Sequence, residues 1–343
     1  MTVGSERVSQ CPVCGARERT LLFHALTDEV LGAAPGTWDL QQCSACEAGY
    51  LDPRPDAETL ALAYRGYHTH GGPESGAEPP ATGRIGRLRR AIGNGYRNAR
   101  YGTKRTPSTR VGALVTPLIP GFRRNIDVVF RHLPKAWPGA RLLDVGFGSG
   151  SFLVAAREMG WQVAGVDTDP EVIGSARAAG LDVRQGGIEA FSDGASHESF
   201  DVITLSHVIE HVPDPIDVLT RAHALLRPGG RLWLAAPNLD SFGRRWFGRH
   251  WRGLEAPRHL VLFGPKAMET ALRRSGFRNV THLPRPDASA NMFSVSRELR
   301  TRHARTANAF TARGDAKLSP LFTAAATLQP AHAEFLTLIA RKE

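Results

Sequence analysis

Cysteine is scarce and confined: the 343-residue chain has four, Cys11, Cys14, Cys43 and Cys46, all within its first fifty positions. That excludes a disulfide-built scaffold for the rest of the molecule. Long apolar runs are also missing. The longest, around Val111 to Ile119, falls far short of the roughly 20 residues that a spanning helix needs. The opening MTVGSERVSQ lacks an apolar stretch after a basic start. A cytoplasmic protein is the expectation. Acidic residues are absent between Glu78 and Asp127, where eleven Lys or Arg stand, so this segment carries essentially all of the net charge of +10. Such a block suits an anionic substrate, an anionic membrane surface or nucleic acid, and equally a plain solvated face. Tyr96 and Tyr101 are the aromatics interleaved between Arg84 and Ile119, fewer than base stacking asks for, which argues against nucleic acid.

The cysteines themselves are informative. Cys11-Pro-Val-Cys14 and Cys43-Ser-Ala-Cys46 form C-x2-C-x28-C-x2-C, a spacing that lets two tight knuckles present four thiolates tetrahedrally. A structural zinc is the ion expected in a reducing compartment. Four thiolates leave no open coordination position, so the metal is expected to fold residues 1–56, too few for a core of their own, rather than to react. The ribbon ends at Asp52-Pro53-Arg54-Pro55 and a helical patch, Ala57 to Tyr64, follows. Residues 71–83, rich in Gly and Pro, read as a linker. Beyond them Ile85, Leu88, Ile92 and Tyr96 recur at helical spacing and predict an amphipathic helix with a cationic polar face that includes Arg87, Arg90 and Arg97. Residues 57–139 are thus taken as a linker and basic helical segment.

From 140 to 343 short apolar runs alternate with amphipathic stretches. Strands are predicted at Arg141 to Val145, Gln162 to Asp167, Leu181 to Arg184, Phe200 to Leu205 and Arg231 to Ala235, with a sixth near Val280 and a last at Phe335 to Ala340. This implies an α/β fold, a doubly wound seven-stranded parallel-type sheet that binds ligands at the carboxyl ends of its strands. Residues 285–332 are polar with weak periodicity and receive no assignment.

The first of these strands runs into Asp144-Val145-Gly146-Phe147-Gly148-Ser149-Gly150. Alternating glycines permit close approach by a ligand. A dinucleotide fingerprint, G-x-G-x-x-G/A, would want a small residue with no side-chain branch at 151, where Ser151 stands, and a pyrophosphate would not favour the Asp144 carboxylate. An acid there suits a cationic ligand. Asp167, ending the second strand, can accept both hydroxyls of a ribose. Further on come Ser206-His207-Val208-Ile209-Glu210-His211-Val212 and Leu226-Arg227-Pro228-Gly229-Gly230.

Together these motifs resemble the class I S-adenosylmethionine-dependent methyltransferases, especially bacterial members with a preceding zinc ribbon. The resemblance spans about Leu142 to Asn238, through LDVGxGxG, VxGVDxDP, FDVIxxxHVIEHVxDP and LRPGGxLxxxxPN. It implies a Rossmann-like fold binding S-adenosylmethionine: Gly146, Gly148 and Gly150 along the methionine portion, Asp144 toward its amino group, Asp167 on the ribose, and Ser206 nearby. The family's acid for the adenine amino group is replaced here by Gly187, so backbone near Ile188, or Glu189 turning in, is expected instead. Phe147 replaces a commoner small residue and either packs on the cofactor or fills space. In the ribbon, Glu47 stands where the family has glycine, which predicts a looser second turn.

His207, Glu210 and His211 spell H-x-x-E-H, a metalloprotease helix pattern. With a buried strand just before and Pro213 just after, it is set aside as a metal site. The stretch Trp251-Arg-Gly-Leu-Glu255-Ala-Pro-Arg258-His259-Leu260 resembles a motif that lies over the family's acceptor pocket, as a binding loop or a packed lid. His259, oriented by Glu255 and Arg258, is the expected catalytic base or hydrogen-bond partner of the acceptor, with His207 the alternative. The acceptor class implied is a small or carrier-linked molecule, such as a sugar or secondary-metabolite intermediate, methylated on O or C.

Overall fold

The structure, a computed structural model, describes residues 4–64, 83–191, 197–285, 289–303, 324–325 and 328–343. The expected linker at 71–83 lies outside these residues except for Gly83, as does much of 285–332. In chain order the ribbon region contains β1 (Ser5–Glu6), β2 (Arg19–Leu26), β3 (Trp38–Cys43), β4 (Gly49–Leu51), β5 (Arg54–Pro55) and α1 (Ala57–Ala63). The basic segment follows as α2 (Gly83–Tyr101), α3 (Val111–Val115) and α4 (Pro120–Val129). Then come β6 (Arg141–Val145), α5 (Ser151–Glu158), β7 (Gln162–Asp167), α6 (Pro170–Ala178), β8 (Asp182–Gln185), β9 (Phe200–Ser206), α7 (Pro215–Leu225) and β10 (Leu226–Pro237). The last elements are α8 (Phe242–Phe247), β11 (Val261–Leu262), α9 (Pro265–Arg274), β12 (Arg278–His282), α10 (Ser289–His303) and β13 (Phe335–Arg341).

Seven strands form one sheet in the order β12-β13-β10-β9-β6-β7-β8. β6 runs parallel to both β7 and β9, and β7 to β8, whereas β12 and β13 are antiparallel. The sheet is therefore mixed rather than wholly parallel. Its middle strands are largely apolar because helices cover both faces, with Asp144 and Thr204 as buried polar exceptions. All seven predicted strands are present, and the unassigned stretch contributes α10.

The chain divides into two compact units, 1–67 with 206–223 and 234–343, and 68–205 with 224–233. A second sheet has the order β11-β4-β3-β2. Val261 and Leu262 pair with Tyr50 and Gly49, and the Leu51 amide donates to the Leu260 carbonyl at 3.1 Å. The ribbon completes its own sheet with residues from the far end of the chain.

In the other unit Tyr96, Tyr101, Phe130, Leu142, Phe147, Leu153 and Trp161 belong to one buried apolar cluster. Helices α2 and α3 meet closely through glycine: a Cβ at Gly95 would stand 1.9 Å from the Thr109 carbonyl oxygen, and one at Gly112 would stand 2.0 Å from that of Ile92. Of the predicted apolar stripe Tyr96 is buried and Ile92 half-buried. Ile85 and Leu88 are 85% and 60% exposed, as are Leu114 at 75% and Leu118 at 79%. Arg97 corrects the predicted cationic face: it is buried, and its guanidinium donates to Asn94 Oδ1 at 3.1 Å.

Candidate functional site

The turn after β6 is built from left-handed glycines, with φ of +65° at Gly146, +56° at Gly148 and +74° at Gly150. Branched side chains would be strained there. The Gly146 amide donates to the Val166 carbonyl at 2.8 Å, which ties the turn to β7. No atom lies within 4 Å of where a Cβ on Gly148 would sit, so that face of the loop is open. Asp167, half-buried at the end of β7, accepts from the Gly148 amide through Oδ2 at 2.9 Å and from the Asp169 amide through Oδ1 at 3.1 Å. A carboxylate has about four lone-pair sites, so each oxygen keeps capacity for a ligand hydroxyl.

Asp144 is fully buried. Its Oδ1 accepts from Thr204 Oγ1 at 2.7 Å and pairs with the Arg131 guanidinium, while Oδ2 has no protein partner. Burial pushes the Asp144 carboxyl up, and Arg131 opposes that shift. Arg131 is itself fixed over the Phe152 ring, 3.7 Å from its centroid. Arg131 and Thr204 carry no local motif, and sequence reasoning missed both. Phe147 is turned into the core, where a Cβ on Gly165 would lie 2.7 Å from its ring. Ile188 is buried, and Glu189 turns back so that its Oε1 accepts from the Gly187 amide at 2.8 Å. Asp144, the glycines, Phe147, Asp167, Ile188 and Glu189 all belong to the same unit; Ser206, the last residue of β9, falls in the other.

That other unit holds the remaining candidates. His207 takes a left-handed backbone, φ +58°, and its Nδ1 lies 3.3 Å from Glu210 Oε1 and its Nε2 3.4 Å from the Arg285 guanidinium. Its ring meets Phe335 edge-on at 4.7 Å. His259 is buried, with Nδ1 2.8 Å from the Gly253 carbonyl and Nε2 3.5 Å from Glu255 Oε2. The loop around it is packed inside rather than laid open. Trp251 is buried with its Nε1 donating to Glu334 Oε2 at 2.8 Å, and Arg258 is wholly buried. Burial and the neighbouring His259 hold His211 down at about 4.

The four cysteine sulfurs lie within 4.8 Å of one another, with Cys11 to Cys46 and Cys14 to Cys43 both at 3.5 Å and no disulfide among them. A tetrahedral zinc with Zn–S near 2.3 Å would set sulfurs roughly 3.8 Å apart, so the cluster fits one. The knuckles are alike in hydrogen bonding. Gly15 donates to Cys11 O at 2.9 Å, and Glu47 donates to Cys43 O at 3.0 Å. The second turn is no looser, because Glu47 itself adopts φ +67°, and its carboxylate receives Lys266 Nζ at 2.8 Å.

A Rossmann-like sheet in this strand order, with a glycine loop after its first strand and an acid ending the next, defines the class I methyltransferase architecture. Residues 121–282, a little under half of the chain, match the family model of a methyltransferase domain. Among curated relatives, a ubiquinone biosynthesis O-methyltransferase of Xanthomonas campestris is 39% identical over 111 residues, 30% of this chain and 45% of the relative. One of Xanthomonas oryzae is 37% identical over 122 residues, 33% of this chain and 49% of the relative. The chain spans about half the length of the curated relatives it matches. A solved S-adenosylmethionine-dependent methyltransferase from Mesorhizobium loti aligns with TM-score 0.43 and 20% identity over 64% of this chain and 98% of that one. No helix among the described residues is long and apolar enough to cross a membrane.

Proposed function

We propose that this protein transfers the methyl group of S-adenosylmethionine to an oxygen of a small or carrier-linked acceptor. The observation that carries this reading is the open glycine loop after β6, hydrogen-bonded through Gly148 to Asp167 at the end of β7. Gly146, Gly148 and Gly150 line the methionine portion, Asp167 takes the ribose hydroxyls, and the unpartnered Oδ2 of Asp144 faces the cationic end of the ligand. The similarity to ubiquinone biosynthesis O-methyltransferases favours oxygen over carbon. Transfer is an in-line displacement: the oxygen forms a bond to the methyl carbon as the sulfonium leaves as a thioether, and the hydroxyl proton passes to an acceptor-side base. Alignment of donor and acceptor supplies much of the rate. His259 is assigned to that side, with His207 as the alternative.

Calorimetry tests the cofactor assignment. S-adenosylmethionine should bind and NAD should not, and Asp167→Ala should weaken S-adenosylmethionine by about 2 to 3 kcal/mol, roughly 30- to 150-fold. Unchanged affinity would remove Asp167 from the site.

The cysteine cluster is assigned one structural zinc. Arg84, Arg87, Arg89 and Arg90 flank the uncovered Ile85 and Leu88 on α2, while Leu114 and Leu118 are exposed along and just after α3. Cationic and apolar groups exposed side by side on α2, with further leucines exposed at and just after α3, suit an anionic lipid bilayer, with snorkelled arginines and inserted apolar side chains acting together. The paired change Leu114→Glu with Leu118→Glu should abolish sedimentation with phosphatidylglycerol vesicles while leaving S-adenosylmethionine affinity intact. Equal sedimentation of the variant would restore the reading of a solvated face.

A further inference from the structure

Outside the cysteine cluster, Glu210, His211 and His259 each place one potential ligand atom within 4.8 Å of the other two. We propose that these three side chains form a second metal site, taking a divalent transition-metal ion. The H-x-x-E-H pattern appears here in altered form: Glu210 and His211 contribute, His259 completes the set from 48 positions along the chain, and His207 stands beside Glu210 instead of among the ligands.

Two features of the cluster point to a cation. The Glu210 side chain is wholly shielded from solvent, and its Oε2 has no hydrogen-bond partner. An orphaned carboxyl oxygen in a protein interior is costly and rare, and a cation is the partner that such an atom lacks. The second feature is the imidazoles. His259 Nδ1 lies 2.8 Å from the Gly253 carbonyl, and His211 Nδ1 lies 3.1 Å from the Arg258 carbonyl and 2.8 Å from Tyr64 Oη. A carbonyl can only accept, so His259 carries a proton on Nδ1, and a metal ion would take the place of a second proton on its Nε2, which lies 3.5 Å from Glu255 Oε2. His211 Nδ1 can donate to the Arg258 carbonyl or accept from the nearer Tyr64 hydroxyl, and the first arrangement frees its Nε2 for a metal. Backbone carbonyls fix the tautomer of metal-ligating histidines in this way. Two imidazoles and a carboxylate suit zinc, iron(II) or manganese, and three protein ligands leave open positions for an oxygen of water or acceptor. The inference rests on the acceptor-side assignment of His259 and deepens it. A metal-bound hydroxyl loses its proton more readily than a free one and would enter methyl transfer as the better nucleophile.

Metal analysis of the full chain, purified without chelator and then reconstituted with cobalt(II), separates this site from the ribbon. Wild type should hold two ions per chain: one with the intense sulfur-to-cobalt charge-transfer band of a thiolate site, and one with only weak visible absorption from nitrogen and oxygen ligands. Glu210→Ala and His259→Ala should each lose one ion and keep the charge-transfer band, whereas Cys11→Ser should lose that band and keep the weak absorption. Added cobalt(II) should raise the melting temperature of wild type above that of Glu210→Gln, whose amide keeps the shape of the site and guards against a folding defect. A wild type that binds a single ion with thiolate character, or an ion count unchanged in both Glu210→Ala and His259→Ala, overturns the proposal. Loss of the charge-transfer band alone from wild type would instead count against the ribbon zinc.

Discussion

Arg258→Met is expected to lower folding stability by about 3–5 kcal/mol, the scale for removing one partner of a buried ion network. The Arg258 guanidinium is wholly buried and makes a two-pronged contact with Asp28, Nη2 to Oδ1 at 2.7 Å and Nη1 to Oδ2 at 2.9 Å. It also donates to the Ala63 carbonyl at 2.9 Å and to Glu255 Oε1 at 3.0 Å. Methionine fills most of the volume but leaves the Asp28 carboxylate without its cation and Glu255 with Arg252 and His259 alone. Burial alone would push Asp28 up, yet Arg258 and the Leu31 and Ala34 amides hold it below the usual carboxylate range. Glu255 is likewise held at about 2 by His259, Arg252 and Arg258 against its burial. Both folded values are depressed, so this stabilisation is complete at neutral pH. For Glu255 it is lost as pH falls from its ordinary 4.5 toward about 2. Urea unfolding at neutral pH measures the loss. Adding Asp28→Asn to Arg258→Met should cost less than the sum of the single changes, because the amide no longer needs a cation. Additive costs would show that Asp28 and Arg258 do not act as a pair.

The second large effect is on turnover. His259→Ala should reduce methyl transfer about 100- to 10,000-fold, the range for loss of a positioned proton-transfer group, while S-adenosylmethionine binds as in wild type. Its ring is enclosed by Glu210, His211, Glu255 and the Gly253 carbonyl. The comparison variant is His207→Ala, whose side chain is one-third exposed beside Phe335 and Arg285. If His207→Ala matches the loss and His259→Ala keeps full turnover with the true acceptor, the proton-handling role moves to His207. Chelator treatment of wild type distinguishes the two ways in which His259 could act: a ligand role makes turnover sensitive to metal removal at constant S-adenosylmethionine affinity, and a base role does not.

The central strands could be read directly from the sequence because a strand covered on both faces must be mostly apolar, and Leu142, Leu143, Val202, Ile203 and Leu205 meet that demand around Asp144 and Thr204. The glycine loop and Asp167 were readable for a related reason, since only certain residue types tolerate those positions. What escaped was set by distant partners. Arg131 reaches Asp144 from a left-handed turn after α4, with no local pattern to mark it. Asp28 lies 230 positions from Arg258. β11 has two residues, too few for any periodicity, and it exists because β4 offers it an edge. The exposure of the first turns of α2 was not legible, because helical spacing shows which residues share a face, not whether anything covers that face.

The edge that β4 lends to β11 also fixes an order of events during synthesis. Tyr50 leaves the ribosome about 210 residues before its partner Val261, an interval of roughly 10 to 40 seconds at ordinary elongation rates. Throughout that time the nascent N-terminal module has an unfilled strand edge and an unanswered Asp28. Its two knuckles, complete from residue 48 onward, are what a metal ion can lock early. With the proposed zinc bound, the ribbon is a seed that waits for the rest of the chain, and a shortage of metal during translation would then cost yield before it cost activity.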